Sequence, residues 1–274
     1  MDVLAESPPA AARREQIREI IRRQGFVRVS QLSEQFGISG VTIRADLDEL
    51  AKTETIQRVH GGAVSVDIRP ASELAFEHSM LSATGEKRSI GVAAAGLVES
   101  GQAIILDVGT TTTAIAEALI ARTDLTDVVV ITNALNIAVM LEPVIPRFTV
   151  IVTGGTLRSL QHSLVDPSMG PAFDHVRADI AFVGCSGVDP ESGISNVNLP
   201  EADIKRRMID AASRTVVVAD SSKLGRRYLS RVSPLAALDL LITGGAADPD
   251  AVTSLEKAGL TVQLAPMNTE NEGT

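Results

Sequence analysis

The sequence has no tryptophan, one tyrosine and six phenylalanines in 274 residues. Base stacking on an aromatic platform, common among single-strand and RNA binders, is thereby disfavoured, while the grooves of duplex DNA stay open to polar side chains. A single cysteine, Cys185, rules out an intramolecular disulfide framework and leaves too few thiolates for a cysteine-based zinc site. No metal is expected, and a reduced, cytoplasmic setting is. Nowhere do 18 apolar residues run together, and the opening MDVLAESPPAAARRE carries acids and two prolines before any apolar run. Neither a membrane span nor a secretory signal is expected. There is also no GK[ST] phosphate loop and no GxGxxG fingerprint, so ATP and NAD are poor candidates and no cofactor is expected.

Against these absences stands a hydrophobic content of 45%, ample for a core, in a length that suits one large domain or two unequal ones. The net charge of -9 is unevenly placed. Residues 10–62 hold nine Arg/Lys against seven Asp/Glu, a net of +2, whereas residues 63–274 hold sixteen against twenty-five, a net of -9. A mildly basic head on an acidic body is compatible with a DNA reader whose body is kept off the phosphates.

The head reads as three helices. AAARREQIREIIRRQG places Ile17, Ile20 and Ile21 at helical spacing and stops at Gly25. FVRV is extended, Ser30 is placed to cap a second helix, QLSEQF, and Gly37 ends it. Ser39 caps a third, VTIRADLDELAK, whose Ile43, Leu47 and Leu50 form its inward stripe. Two short helices meeting at a glycine are the mark of a helix-turn-helix. Thr42, Arg44 and Ala45 then face outward near the start of the third helix, where a recognition helix meets base edges. TIQRV and the turn HGGA follow as a β wing would. A packing or dimerisation domain is the alternative, but the single-glycine turn, the capped third helix and the wing from Arg58 to Gly62 favour DNA.

Beyond residue 86 short β-branched runs alternate with stretches of helical length. The runs are 103–107, 128–132, 149–153, 180–183, 216–219, 240–243 and 261–264. Such a pattern predicts a doubly wound, mainly parallel α/β sheet. The boundaries expected are 10–65 for the winged helix-turn-helix, 66–85 for a linker with a partly helical end, and 86–267 for the α/β domain.

Small and polar residues gather after the strands, in Asp107-Val-Gly-Thr-Thr-Thr112, Thr132-Asn133, Thr153-Gly-Gly155, Gly184-Cys-Ser-Gly187, Asp220-Ser-Ser-Lys223 and Thr243-Gly-Gly245. Ligands of open α/β sheets bind at this edge. Gly109 to Thr112 is the best anion site, since a glycine lets the backbone approach and three hydroxyls open a helix; a plain Thr-rich N-cap is the alternative. Lys223 can pair with a phosphate or remain a solvated lysine. Asp107 can accept a ligand hydroxyl or cap a helix. Glu201 and Lys205, four apart, read on their own as an exposed ion pair. Cys185 reads as a small packing residue rather than a nucleophile.

Ser39-Gly-Val-Thr-Ile-Arg-Ala-Asp-Leu47 followed by Arg58-Val-His-Gly-Gly-Ala63 resembles the N-terminal motif of the DeoR family of transcriptional repressors, SxxTIRRDL and RxHGGA. Glu86-Lys87, LDVGTTT, ITNALNIA, VTGGTLR, FVGCSGV, PEADIKRRM and ADSSKLG resemble that family's sensor domain, in its order. The resemblance implies that Thr42 and Arg44 approach bases and that Arg58 and His60 touch the backbone, in a DNA-contacting set of Ser39, Val41, Thr42, Arg44, Ala45, Arg58, His60 and Gly61. It implies a Rossmann-like sensor similar to ribose-5-phosphate isomerase, with a phosphorylated sugar held among Asp107, Gly109, Thr110, Thr111, Thr112, Asn133, Gly154, Gly155, Glu201 and Lys223, with Lys87 nearby. Binding there would relieve repression.

Two departures stand out in the head. Ala45 replaces the second arginine of the motif, and Glu54 replaces the glycine that usually ends the recognition helix. In the sensor, Asn196 stands where the family more often has threonine. A homodimer or homotetramer on a double-stranded operator is expected, since helix-turn-helix repressors read paired half-sites. The rival readings are a sugar-phosphate isomerase with an adaptor, casting Glu201, Asp107 and Lys223 as catalysts, and a protein-interaction module.

Overall fold

Ile17 and Ile21 lie one helical turn apart, and α1 (Ala10–Gln24) turns both fully inward. The computed structural model describes residues 9–24, 26–52, 56–59, 62–65, 73–165, 173 and 175–266, and its contacts divide the chain into two units, Met1–Leu74 and Ala75–Thr274. In the first unit β1 (Phe26–Arg28) leads into α2 (Val29–Phe36) and α3 (Gly40–Ala51). Ser30 was expected to cap α2 but lies inside its first turn, with Arg28 at the cap position. Val29 is buried in the unit's core, and seating it there starts the helix two residues earlier than expected, at Val29 instead of Gln31. Gly37 closes α2 in a left-handed conformation, and the Ile38 N–H returns to the Ser33 carbonyl at 3.1 Å.

Ser39 caps α3 as expected, accepting from the Thr42 N–H at 3.2 Å, and Ile43, Leu47 and Leu50 are buried. Each such side chain contributes about 1.5–3 kcal/mol relative to exposure. Asp46 also faces inward, where it takes Arg13 Nε of α1 at 2.6 Å. The wing follows as β2 (Ile56–Val59) and β3 (Gly62–Ser65), which pair antiparallel and add to β1 in the order β1-β3-β2. Glu54, His60 and Gly61 lie outside the described residues.

The second unit begins inside the stretch expected to be linker. Of that stretch 66–72 lie outside the described residues, but α4 (Phe76–Met80) and the start of α5 (Thr84–Ala95) are helical. Phe76 is buried there, with its N–H on the Leu160 carbonyl at 2.9 Å, so these residues pack as part of the second unit. The chain continues through β4 (Ala103–Leu106), α6 (Thr110–Ala121), β5 (Val128–Thr132), α7 (Leu135–Leu141) and β6 (Phe148–Val152). A hairpin of β7 (Thr156–Arg158) and β8 (Ser163–Val165) follows, then β9 (Ala178–Gly184), β10 (Gly187–Asp189) and β11 (Gly193–Asn196). The rest comprises α8 (Leu199–Asp210), β12 (Ala212–Val218), β13 (Ser230–Ser233), β14 (Leu240–Gly244), α9 (Pro249–Lys257) and β15 (Val262–Ala265).

All seven expected strands form one sheet, ordered β15-β14-β12-β9-β4-β5-β6, and every pairing in it is parallel. The apolar runs of the central strands are continuous because both faces are covered, whereas the edge strands β6 and β15 leave Ile151, Val152 and Leu264 exposed. Ile104 and Leu106 pack with α5, α6 and α7 on one side, while Ile105 joins α8, α9 and the small β10-β11-β13 sheet on the other. From β4 the chain builds outward through β5 and β6, then returns to lay β9 against the other side of β4. The order of winding therefore reverses between β4 and β9, where an open α/β sheet leaves a crevice at its carboxyl edge.

Candidate functional site

Strand β4 delivers Asp107 to that crevice. The carboxylate is fully buried, and its Oδ2 accepts from the Gly184 N–H at the end of β9 (2.9 Å) and from Lys205 Nζ of α8. Its Oδ1 is buried and has no hydrogen-bond partner among the described residues. Burial pushes Asp107 above the ordinary carboxylate range, against the pull of Lys205. For Lys205 burial works to lower the pKa, but Asp107 and Glu201 outweigh it and hold the ammonium above its usual value.

Glu201 and Lys205 do not form the exposed i, i+4 pair that their spacing suggested. Both are buried, at 4% and 3% exposure, and each finds its partner on another element. Glu201 Oε1 accepts from Arg158 and from Ser163 Oγ (2.7 Å) of the hairpin, and its Oε2 accepts from Asn196 Nδ2 at 3.2 Å. Asn196 Oδ1 in turn accepts from Ser186 Oγ at 2.9 Å. The desolvated charges balance: two carboxylates, one ammonium and one guanidinium, which is the condition for burying any of them. Arg158, Ser163, Ser186 and Lys205 were absent from the expected set. The signal available for Lys205 was its register, since Glu201, Ala202, Lys205, Met208 and Ile209 share the inward stripe of α8.

Gly109 precedes α6 with φ 149° and ψ 165°, a conformation that side chains rarely adopt. Gly109 at the cap position has no side-chain acceptor to offer, so the first N–H groups of the helix are left without the usual cap. Of the hydroxyls expected there, Thr112 donates back to the Gly109 carbonyl (2.9 Å) and is fully buried. Thr110 and Thr111 occupy the first two helical positions. Asn133 Oδ1 accepts from the Val108 N–H at 3.0 Å and its Nδ2 reaches the Leu164 carbonyl, so this residue braces the loop between β4 and α6 from β5.

Gly154 and Gly155 turn the chain from β6 into the hairpin. At Gly155, with φ 119°, a Cβ would press on the Val165 backbone at 3.2 Å. On the far side Lys223 ends the short 3-10 turn that follows β12, within electrostatic reach of Lys87. It lies within electrostatic reach of Cys185, as do Asp107, Lys205 and Asp220. Burial pushes the Cys185 thiol up to about 12, consistent with a packing residue. Lys87 sits deeper on α5, its ammonium spent on the Ser79 and Ser82 carbonyls, and burial lowers it to about 8. Its neighbour Glu86 accepts from the Ser221 N–H and hydroxyl, both at 3.1 Å. Lys87 thus braces the turn between α4 and α5, within electrostatic reach of Asp220 and Lys223.

In the first unit Ser39, Val41, Thr42, Arg44 and Ala45 all fall on the first half of α3 or its cap, and Val41, Arg44 and Ala45 are exposed. Arg58 lies in β2 opposite Ala63. Among the described residues no helix is long and apolar enough to cross a membrane, and no cluster of His, Cys, Asp and Glu has the make-up of a metal site.

Comparison with known proteins matches residues 13–69 to a DeoR-like helix-turn-helix domain and residues 82–245 to the DeoR C-terminal sensor domain. A protein of Escherichia coli O157:H7 assigned as transcriptional repressor of the aga operon is 37% identical over 254 residues, covering 92% of this chain and 93% of its own. The glycerol-3-phosphate regulon repressor of Escherichia coli K12 is 31% identical over 227 residues, covering 82% and 87%. Among solved structures, ribose 5-phosphate isomerase A of Methanocaldococcus jannaschii is similar over 50% of this chain and 52% of its own, with 20% identity and a TM-score of 0.36. Both family models and relatives aligned across nearly the whole length place the chain in the DeoR family of DNA-binding transcriptional regulators.

Proposed function

We propose that this protein represses an operon of carbohydrate metabolism by holding its operator through α3, and that a phosphorylated sugar bound in the crevice between β4 and β9 releases it. The observation that carries the sensing half is Asp107. A fully buried carboxylate at the switch point, with one oxygen unpartnered, stands beside an uncapped helix N-terminus. An acceptor stripped of water calls for a donor, and a sugar hydroxyl supplies one. The N–H groups of Thr110 and Thr111, with Lys223 as counter-charge, suit a phosphate dianion. Asn133, Gly154 and Gly155 shape the loops, and Glu201 with its clamp closes the sugar side. The chain acts in the cytoplasm as a homodimer or homotetramer and senses rather than catalyses.

Thermal shift of the full-length protein against sugar phosphates, polyol phosphates, the parent sugars and inorganic phosphate tests the sensing half. A ligand at 100 times its Kd stabilises by about 2.7 kcal/mol, or roughly 5–10 °C in a unit of this size. Stabilisation by a phosphorylated sugar and not by its parent sugar, together with release from promoter DNA in a mobility shift, is the expected result. Turnover of pentose or hexose phosphates by the purified protein would instead establish the isomerase reading.

A further inference from the structure

The inward positions of α3 are Ile43, Asp46, Leu47 and Leu50, which leaves residues 41, 44, 45 and 48 as a single outward stripe at i, i+3, i+4 and i+7. Val41 heads that stripe and is 73% exposed; among the large exposed apolar side chains described, only Leu229 is barer. The unit's core closes without it. A β-branched residue in the first turn of a helix also gains nothing from helix propensity. Ala45, one turn further on, is exposed as well. Between them in register stands Arg44, the donor fork of the stripe. Thr42 is a weaker reader, because its hydroxyl is 2.9 Å from Ser39 Oγ in the cap.

We infer that Val41 and Ala45 read thymine 5-methyl groups in the major groove, on either side of the base that Arg44 contacts. The inference rests on α3 being the recognition helix. Apolar side chains discriminate a base pair in the major groove by contact with the thymine methyl, and an arginine fork does so at guanine O6 and N7. Four residues of helix rise about 6 Å, close to two base steps of about 3.4 Å, so the two methyl readers bracket one intervening base pair. Ala45 stands where the family motif carries a second arginine. This chain has exchanged a charged contact for an apolar one there, and its half-site exchanges a guanine or phosphate contact for a methyl-bearing thymine.

The test begins with duplexes selected by the full-length protein from a randomised pool. Each thymine of the selected half-site is then replaced singly by deoxyuridine, which removes the methyl and leaves pairing intact. Losing a buried methyl is worth about a four-fold change in affinity. The wild type is expected to bind two deoxyuridine duplexes about four-fold more weakly, one of them losing this sensitivity in Val41→Gly and the other in Ala45→Gly. Indifference of the wild type to every deoxyuridine overturns the inference, as does sensitivity that persists unchanged in both variants. Arg44→Ala separates this from the underlying reading. If it abolishes binding while the methyls prove irrelevant, only the methyl inference falls; if Arg44→Ala binds normally, α3 is not the reader.

Discussion

Lys205→Met leaves the Asp107 carboxylate fully buried without its cation, though still accepting from the Gly184 N–H. Removing one partner of a buried ion pair costs about 3–5 kcal/mol, because the remaining charge is neither solvated nor paired. For a unit of some 200 residues each kcal/mol moves the midpoint by about 2–4 °C, so the sensor transition should fall by roughly 6–20 °C. The loss carries a pH signature. Lys205 pulls Asp107 downward, and without it burial raises the folded pKa further. A carboxyl with a folded pKa above its unfolded value binds more protons when folded, so its contribution worsens as pH rises from the unfolded pKa toward the folded one. Calorimetry of variant and wild type across pH 5 to 8 should therefore show the smallest deficit in acid and the largest at the alkaline end. A deficit below about 1 kcal/mol, or one indifferent to pH, would refute the claim that a buried charge pair holds β4 to α8.

Two further outcomes follow from the same geometry. Asp46→Asn removes the buried carboxylate that ties Arg13 of α1 to α3, so the first unit should lose about 3 kcal/mol and the protein its DNA affinity. Calorimetry that shows the sensor transition shifting instead would contradict this. Lys87, with a folded pKa lowered to about 8, binds fewer protons when folded between pH 8 and its ordinary value of 10.5. Its contribution to stability should rise through that window, and urea unfolding of Lys87→Met should lack the rise; an identical pH profile in the variant would rule the effect out.

The seven sheet strands were legible because burial on both faces turns the central ones into unbroken apolar runs, while β-branched residues mark the half-exposed edge strands β6 and β15. Strands β7, β8, β10, β11 and β13 were not, since TLR, SLV, GVD, GISN and SRVS are three or four residues long and carry no periodicity. Those pieces hold the hairpin that brings Arg158 and Ser163 to Glu201, so the clamp could not be anticipated. The strand order was equally hidden, and with it the position of the crevice. Spacing misread Glu201 and Lys205, because i, i+4 proximity along a helix says nothing about what stands opposite each side chain. The helix-turn-helix, by contrast, is local. Its cap, left-handed glycine and inward stripe are each set by residues within a few positions, and only the start of α2 shifted, for a tertiary reason.

The meeting of β4 and β9 bears on assembly as well as on binding. Ala103 of β4 faces Val129, whereas its hydrogen bond across the seam reaches Asp179, 76 residues away. Closing that longer loop costs roughly 1 kcal/mol more entropy than closing the local one. The sheet is thus two sequence-local halves, β4 to β6 and β9 to β15, whose docking is the least local event in the unit. A molecule seated over Asp107 and Gly184 touches both halves and acts as a reversible cross-link. Because the crevice exists only once the halves have met, such a cross-link slows their parting and leaves the rate of their meeting nearly unchanged.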